Sequence, residues 1–170
     1  MVFYIFAFWI IFADNYANIV KIDVNTPRFT HIIVSMKKFL KKYPLSLLVV
    51  SVILYLSFYK PSDDPMINIS NIDKIAHFCM YAGFCSVVWL EYFLSHSGVN
   101  RGRVIWLAVV APIVFSGAIE VMQGYLTTYR GMDWYDLIFN TIGIVFALFF
   151  ARYVLRPRVL AYKANRNSGK

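Results

Sequence analysis

Four stretches of the chain stay apolar over lengths comparable with the thickness of a bilayer: Leu45–Tyr59, Ile75–Leu94, Val104–Gln123 and Trp134–Leu155. A helix needs about 20 mostly apolar residues to cross about 30 Å of hydrocarbon, so three stretches are long enough and the first falls short. Hydrocarbon offers no water to an open strand edge, so such segments read as helices despite their Val, Ile and Phe. Composition agrees: 59% of the 170 residues are hydrophobic and 15% charged, with a mean hydropathy of +0.58, more apolar surface than a soluble domain of this size can hide. The expected fold is all-α, a polytopic membrane protein built as a bundle of four transmembrane helices, with the lipid bilayer as its solvent.

The basic residues set the expected orientation. If Lys37, Lys38, Lys41 and Lys42 hold the start of the first span in the cytoplasm, four crossings also place Arg101, Arg103, Arg152, Arg156, Arg158, Lys163, Arg166 and Lys170 there. The opposite side then receives Lys60, Lys74 and Arg130 together with Asp63, Asp64, Asp73, Asp133 and Asp136. That asymmetry follows the positive-inside rule and puts both termini in the cytoplasm of a bacterial inner membrane. It also accounts for the net charge of +8, because the cations flank spans and face an anionic leaflet; no nucleic acid partner is expected.

Residues 1–35 stay unassigned. "VFYIFAFWIIFA" (Val2–Ala13) is too short to span and lacks the basic start of a secretory signal. "MKKFLKKYPLSLL" from Met36 resembles an ordinary membrane-protein amino terminus, so the upstream segment reads as a start-site artefact. The membrane domain is expected over 36–158, followed by a basic cytoplasmic tail over 159–170 whose end, Asn165–Lys170, is expected to be disordered. Pro61–Ile72 reads as a solvated external loop and Ser95–Gly102 as a short return. Cys79 and Cys85 fall on different faces of one helix and cannot bridge each other.

Polar residues interrupt the apolar runs in a pattern. At about 100° per residue, Asp73, His77 and Tyr81 share one face at the external end of the second helix. Ser116, Glu120 and Gln123 do so at the external end of the third. Asp133, Asp136, Asn140, Gly143 and Ala147 line the fourth, and the loop 124–132 carries Arg130 close by. An ionised side chain at the bilayer centre costs about 2.5–3.5 kcal/mol on insertion scales, so these groups are expected to face one another. Glu120 and Asp136 are expected to pair with Arg130, Lys74 or His77. Asn140 and Gln123 are expected to bridge helices, with the small residues allowing close approach.

Each candidate has a plain reading beside a functional one. Asp73 stands where an acid caps a helix and suits its positive dipole end, and Asp133 suits the same role for the fourth helix. His77, one turn after Asp73, is a candidate general base oriented by it, or simply a hydrogen-bonded histidine. Glu120 lies inside an apolar run about 5 Å from its end; intramembrane acids are functional candidates, with a helix-locking ion pair as the alternative. His77, Glu120, Asp133 and Asp136 suit zinc or manganese as ligand types. They are scattered over three helices with no HExxH or paired-cysteine spacing, so no metal is assigned and no cofactor is specified. Glu91 is expected to pair with Arg101 or Arg103, and Pro112 to kink the third helix.

Three motifs together, "DKIAHF" (Asp73–Phe78), "EVMQ" (Glu120–Gln123) and Arg130, Asp133, Asp136, Asn140 and Gly143 at fixed spacing, resemble the VanZ-like membrane proteins. The resemblance covers residues 45–155. It departs from the family pattern at "LTTYR", where a proline is expected shortly before the arginine. Through the family's namesake, it implies a place in the cell envelope and a link to low-level teicoplanin resistance. It implies no particular reaction.

Three functions follow as expectations. The first is an outward-facing polar pocket binding an envelope lipid, a lipid-linked cell-wall (peptidoglycan) precursor or a glycopeptide, lined by Asp73, Lys74, Tyr81, Gln123, Arg130, Asp133 and Asn140. The second is an intramembrane hydrolase or transferase with His77 and Glu120 or Asp136 as its acid–base pair and Arg130 holding an anionic group. The third is a structural or partner-binding bundle. Transport is disfavoured, since one-sided polarity offers no path through the inner half unless a homodimer supplies one.

Overall fold

The computed structural model describes residues 37–59, 72–96, 98–127 and 132–169, without the side chains of Arg101 and Arg103. Described residues 37–42 are helical and lead into α1, Pro44–Phe58. Helix α2 is Ile72–Ser95. Helix α3 occupies 101–126 in three consecutive pieces, Arg101–Ile105, a wider π-helical turn Trp106–Val110, and Ala111–Leu126. Helix α4 runs from Trp134 to Ser168, interrupted by a second π turn at Ala151–Leu155. No strand occurs among the described residues.

Three helices, Ile72–Ser95, Trp106–Leu126 and Trp134–Ser168, are long and apolar enough to cross a membrane. At 1.5 Å per residue the 15-residue α1 reaches only about 22 Å, short of the hydrocarbon thickness.

The helices alternate in direction. Ser46 of α1 meets Glu91 near the end of α2, while Ser57 at the other end of α1 meets Gln123 near the end of α3. Helices α2 and α4 run parallel in close contact. Lys74 faces Asp133 at one end, and Lys163 reaches the Phe93 and His96 carbonyls at the other. Between these ends Gly143 permits the approach: a Cβ there would stand 2.5 Å from the Phe78 carbonyl oxygen and 3.0 Å from the Ala82 nitrogen. Small residues serve this purpose in membrane helices, where packing and polar contacts replace the hydrophobic drive. Ala147 and Ala151, both fully buried, continue the seam.

The distribution of polarity is inverted relative to a soluble bundle. Leu48, Ile138, Ile142, Phe146 and Phe149 are exposed, whereas His77, Ser116, Glu120, Gln123, Asp136 and Asn140 are buried. Tyr125, Trp134 and Tyr135 are exposed around the polar end, the belt position of aromatics at a membrane–water boundary.

Both π turns end two residues before a proline. The Ala111 amide donates to Trp106 O and the Arg156 amide to Ala151 O, each five residues back, with Pro112 and Pro157 following. A proline ring clashes with the carbonyl four residues earlier and offers no N–H, and widening the preceding turn accommodates both defects. The irregularity expected at Pro112 is therefore this wider turn.

Two expectations are corrected. Residues 165–168, expected to be disordered, are helical: α4 continues to Ser168, with Val159 buried and Lys163 anchored to the end of α2. Asp73 does not precede α2 but lies in its first turn, because the helix begins at Ile72.

Candidate functional site

Helix α2 begins, α3 ends and α4 begins at the same end of the bundle, and their polar faces converge there on one imidazole. His77 is 3% exposed. Its Nδ1 lies 3.1 Å from Asn140 Oδ1 on α4 and 3.9 Å from Glu120 Oε1 on α3. Its Nε2 lies 3.4 Å from Asp136 Oδ2 on α4 and 3.8 Å from Asp73 Oδ1 one turn back on α2. Asn140 links all three helices, because its Nδ2 donates to Ser116 Oγ on α3 at 2.9 Å while its Oδ1 faces His77. Tyr81, one turn beyond His77, sets its hydroxyl beside Ser116 and Glu120.

The cluster grades from wet to dry. Asp73 and Asp133 side chains are 57% and 41% exposed, Lys74 is 26% exposed, and Glu120 and Asp136 are 3% exposed. Asp133 caps α4 by accepting the Tyr135 amide at 2.8 Å. Lys74 pairs with Asp133 at 3.8 Å and lies over the Tyr135 ring at 5.7 Å. Of the expected partners of Glu120 and Asp136, His77 stands near both, Glu120 on its Nδ1 side and Asp136 on its Nε2 side, while Lys74 pairs with Asp133. Gln123 bridges helices as expected, its Nε2 donating to the Ser57 carbonyl of α1 at 2.7 Å. Arg130, proposed from sequence to close the site, lies outside the described residues, as do residues 1–35 and the loop after Tyr59.

Some participants were missed from sequence. Ser116 shares the face of Glu120 and Gln123 but was not assigned a site role, although its spacing four residues before Glu120 was the available signal. Glu91, whose expected partners Arg101 and Arg103 have side chains outside the described residues, accepts from the Leu45 amide at 2.8 Å and the Ser46 amide at 3.0 Å, and from the Ser46 hydroxyl, at the other end of the bundle. Nearby, an apolar crevice between Phe39, Tyr43, Phe84, Trp89 and Leu107 is lined by aromatic and aliphatic groups and is remote from His77.

With three helices of membrane-spanning length and this buried polar constellation, the sequence matches the VanZ/LLP1 family over residues 1–156. The chain belongs to that family. The match takes in the amino-terminal segment as well as every helix that contributes to the site. No curated protein and no solved structure matches the chain. In this family member the motif residues His77, Glu120, Asp136, Asn140 and Gly143, taken from three separate segments, form one continuous packed unit around the α2–α4 seam.

Proposed function

We propose that this VanZ/LLP1 protein sits in the bacterial inner membrane as a four-span bundle with both termini cytoplasmic. In this reading its polar cluster faces outward and binds the polar head of an envelope component, namely an envelope lipid, a lipid-linked peptidoglycan precursor or a glycopeptide. The observation that carries this reading is the burial of His77, Glu120, Asp136 and Asn140 between helices whose outer surfaces are apolar, with the partly exposed Asp73, Lys74 and Asp133 leading in from the surface. Such groups suit a ligand of mixed charge and hydrogen-bonding capacity.

The test compares wild type with Glu120→Gln, a nearly isosteric change that removes the charge. Native mass spectrometry against an undecaprenyl-linked peptidoglycan precursor and against teicoplanin should show binding by the wild type and its loss in the variant, with thermal unfolding little changed. Absence of binding to either probe by the wild type would sink the ligand reading.

A second reading is favoured by the carboxylates on both edges of one imidazole: an intramembrane hydrolase or transferase with His77 and Glu120 or Asp136 as acid and base. Product formation by purified protein from the same lipid-linked precursor separates catalysis from binding.

A further inference from the structure

We propose that the apolar crevice at the end of the bundle opposite His77 holds one phospholipid with an anionic headgroup. Its acyl chain lies between α1, α2 and α3, an ester carbonyl accepts a hydrogen bond from Trp89, and its phosphate meets the lysines that lead into α1.

The crevice suits the acyl chain. It measures about 470 Å3 with its open mouth, inside the range of about 300–1,000 Å3 for small-ligand sites. Phe39 and Tyr43, stacked at 4.9 Å, line it beside Phe84 and Trp89 of α2. Leu107 and Ala108 join them from the π turn of α3.

Trp89 suits the ester. The residue is 5% exposed, and its indole N–H is buried without an acceptor among the described residues. Buried indoles ordinarily find a partner, and because the indole only donates, that partner must bring an acceptor. Below the headgroups, the acceptors that a bilayer itself offers are the ester carbonyls of its lipids.

Charge suits the phosphate. Lys37, Lys38 and Lys41 are exposed and Lys42 is half-buried on the same helical turns as Phe39. None of the four pairs with an acid among the described residues. Glu91, the acid at this end among those residues, is taken up by the Leu45 and Ser46 amides. Lys38 and Lys42, four apart, stand beside Phe39 and Tyr43, and their long stems let the ammonium groups reach the headgroup layer. The order along the bundle is also that of a phospholipid. Lys42 lies one turn outside Ser46, Trp89 lies half a turn inside the Glu91 that meets Ser46, and Phe84 lies deeper still. Cation, donor and apolar wall thus succeed one another as phosphate, ester and acyl chain do.

The site shares no residue with the His77 cluster, so its test is independent of the envelope-ligand reading. The full chain, delipidated in detergent, is read by native mass spectrometry against dioleoyl phosphatidylglycerol and dioleoyl phosphatidylcholine. The wild type should retain one phosphatidylglycerol per chain in preference to phosphatidylcholine. Replacing Lys38→Gln and Lys42→Gln together should weaken retention of phosphatidylglycerol about 25-fold, at about fivefold per lysine, and remove the preference. Trp89→Phe, which keeps a ring but removes the N–H, should weaken retention of both lipids, since both carry esters. In vesicles, a chain with Trp9→Phe, Trp106→Phe and Trp134→Phe keeps Trp89 as its one fluorophore, and brominated phosphatidylglycerol should quench it more strongly than brominated phosphatidylcholine at equal content. Equal retention of the two lipids by the wild type, or retention unchanged by the lysine pair or by Trp89→Phe, overturns the proposal. So does a Trp89 that neither brominated lipid quenches. If the single-tryptophan chain does not fold, the mass measurements on wild type and Trp89→Phe decide.

Discussion

Gly143 of α4 lies so close to Phe78 of α2 that a Cβ would stand 2.5 Å from the Phe78 carbonyl oxygen. That oxygen is helix backbone and cannot swing aside, so any larger residue must part the two helices that carry His77, Asp136 and Asn140. Gly143→Ala should therefore cost about 1–3 kcal/mol, the range for overpacking. Gly83, with nothing within 4 Å of a built Cβ, is the control. Its replacement by Ala should be neutral or stabilising by up to about 1 kcal/mol. Thermal unfolding of the two variants in the same detergent checks the contrast, and equal effects would contradict the close approach.

Glu91 terminates α1 from outside that helix. Pro44 at its start has no N–H, and the Leu45 and Ser46 amides are satisfied by the Glu91 carboxylate rather than by a residue of α1 itself. Glu91→Ala should leave buried donors unpaired at a cost of about 1–3 kcal/mol. Hydrogen exchange should accelerate first at residues 45–47, and unchanged protection there would count against the cap.

Asn140 is expected to matter more for orientation than for stability. Asn140→Leu removes two interhelical contacts, a loss of about 1 kcal/mol at the average for membrane bundles. His77, however, loses the acceptor that fixes its Nδ1 proton. Nitrogen NMR of labelled histidine should show the Nδ1–H tautomer in wild type and its loss in the variant. The same tautomer in both would show that Asn140 does not set the imidazole's orientation.

The proposed orientation is checked with single cysteines at exposed positions. Met132 lies beside the polar end and Tyr162 near the far end of α4. In intact cells a membrane-impermeant maleimide should label Met132→Cys directly and Tyr162→Cys only after permeabilisation. The reverse pattern would turn the polar cluster toward the cytoplasm.

The spans were legible because length and hydrophobicity over about 20 residues are local quantities that the bilayer reads directly. The polar faces were legible for a related reason: helical periodicity alone aligns Asp73 with His77, Ser116 with Glu120, and Asp136 with Asn140. Which face meets which was not contained in any single segment. The placing of His77 rather than Lys74 beside Glu120 and Asp136, and of the α1 amides on Glu91, depends on how α2 packs against its neighbours. The continuation of α4 past Pro157 likewise depends on a widened turn and on Lys163 finding the end of α2, 70 residues earlier in sequence from Phe93. Sequence by itself determined that this chain forms long apolar helices with polar groups gathered near one end. Tertiary packing alone decided that those groups surround one histidine, because Gly143 lets two helix backbones approach to a distance that sequence spacing does not encode.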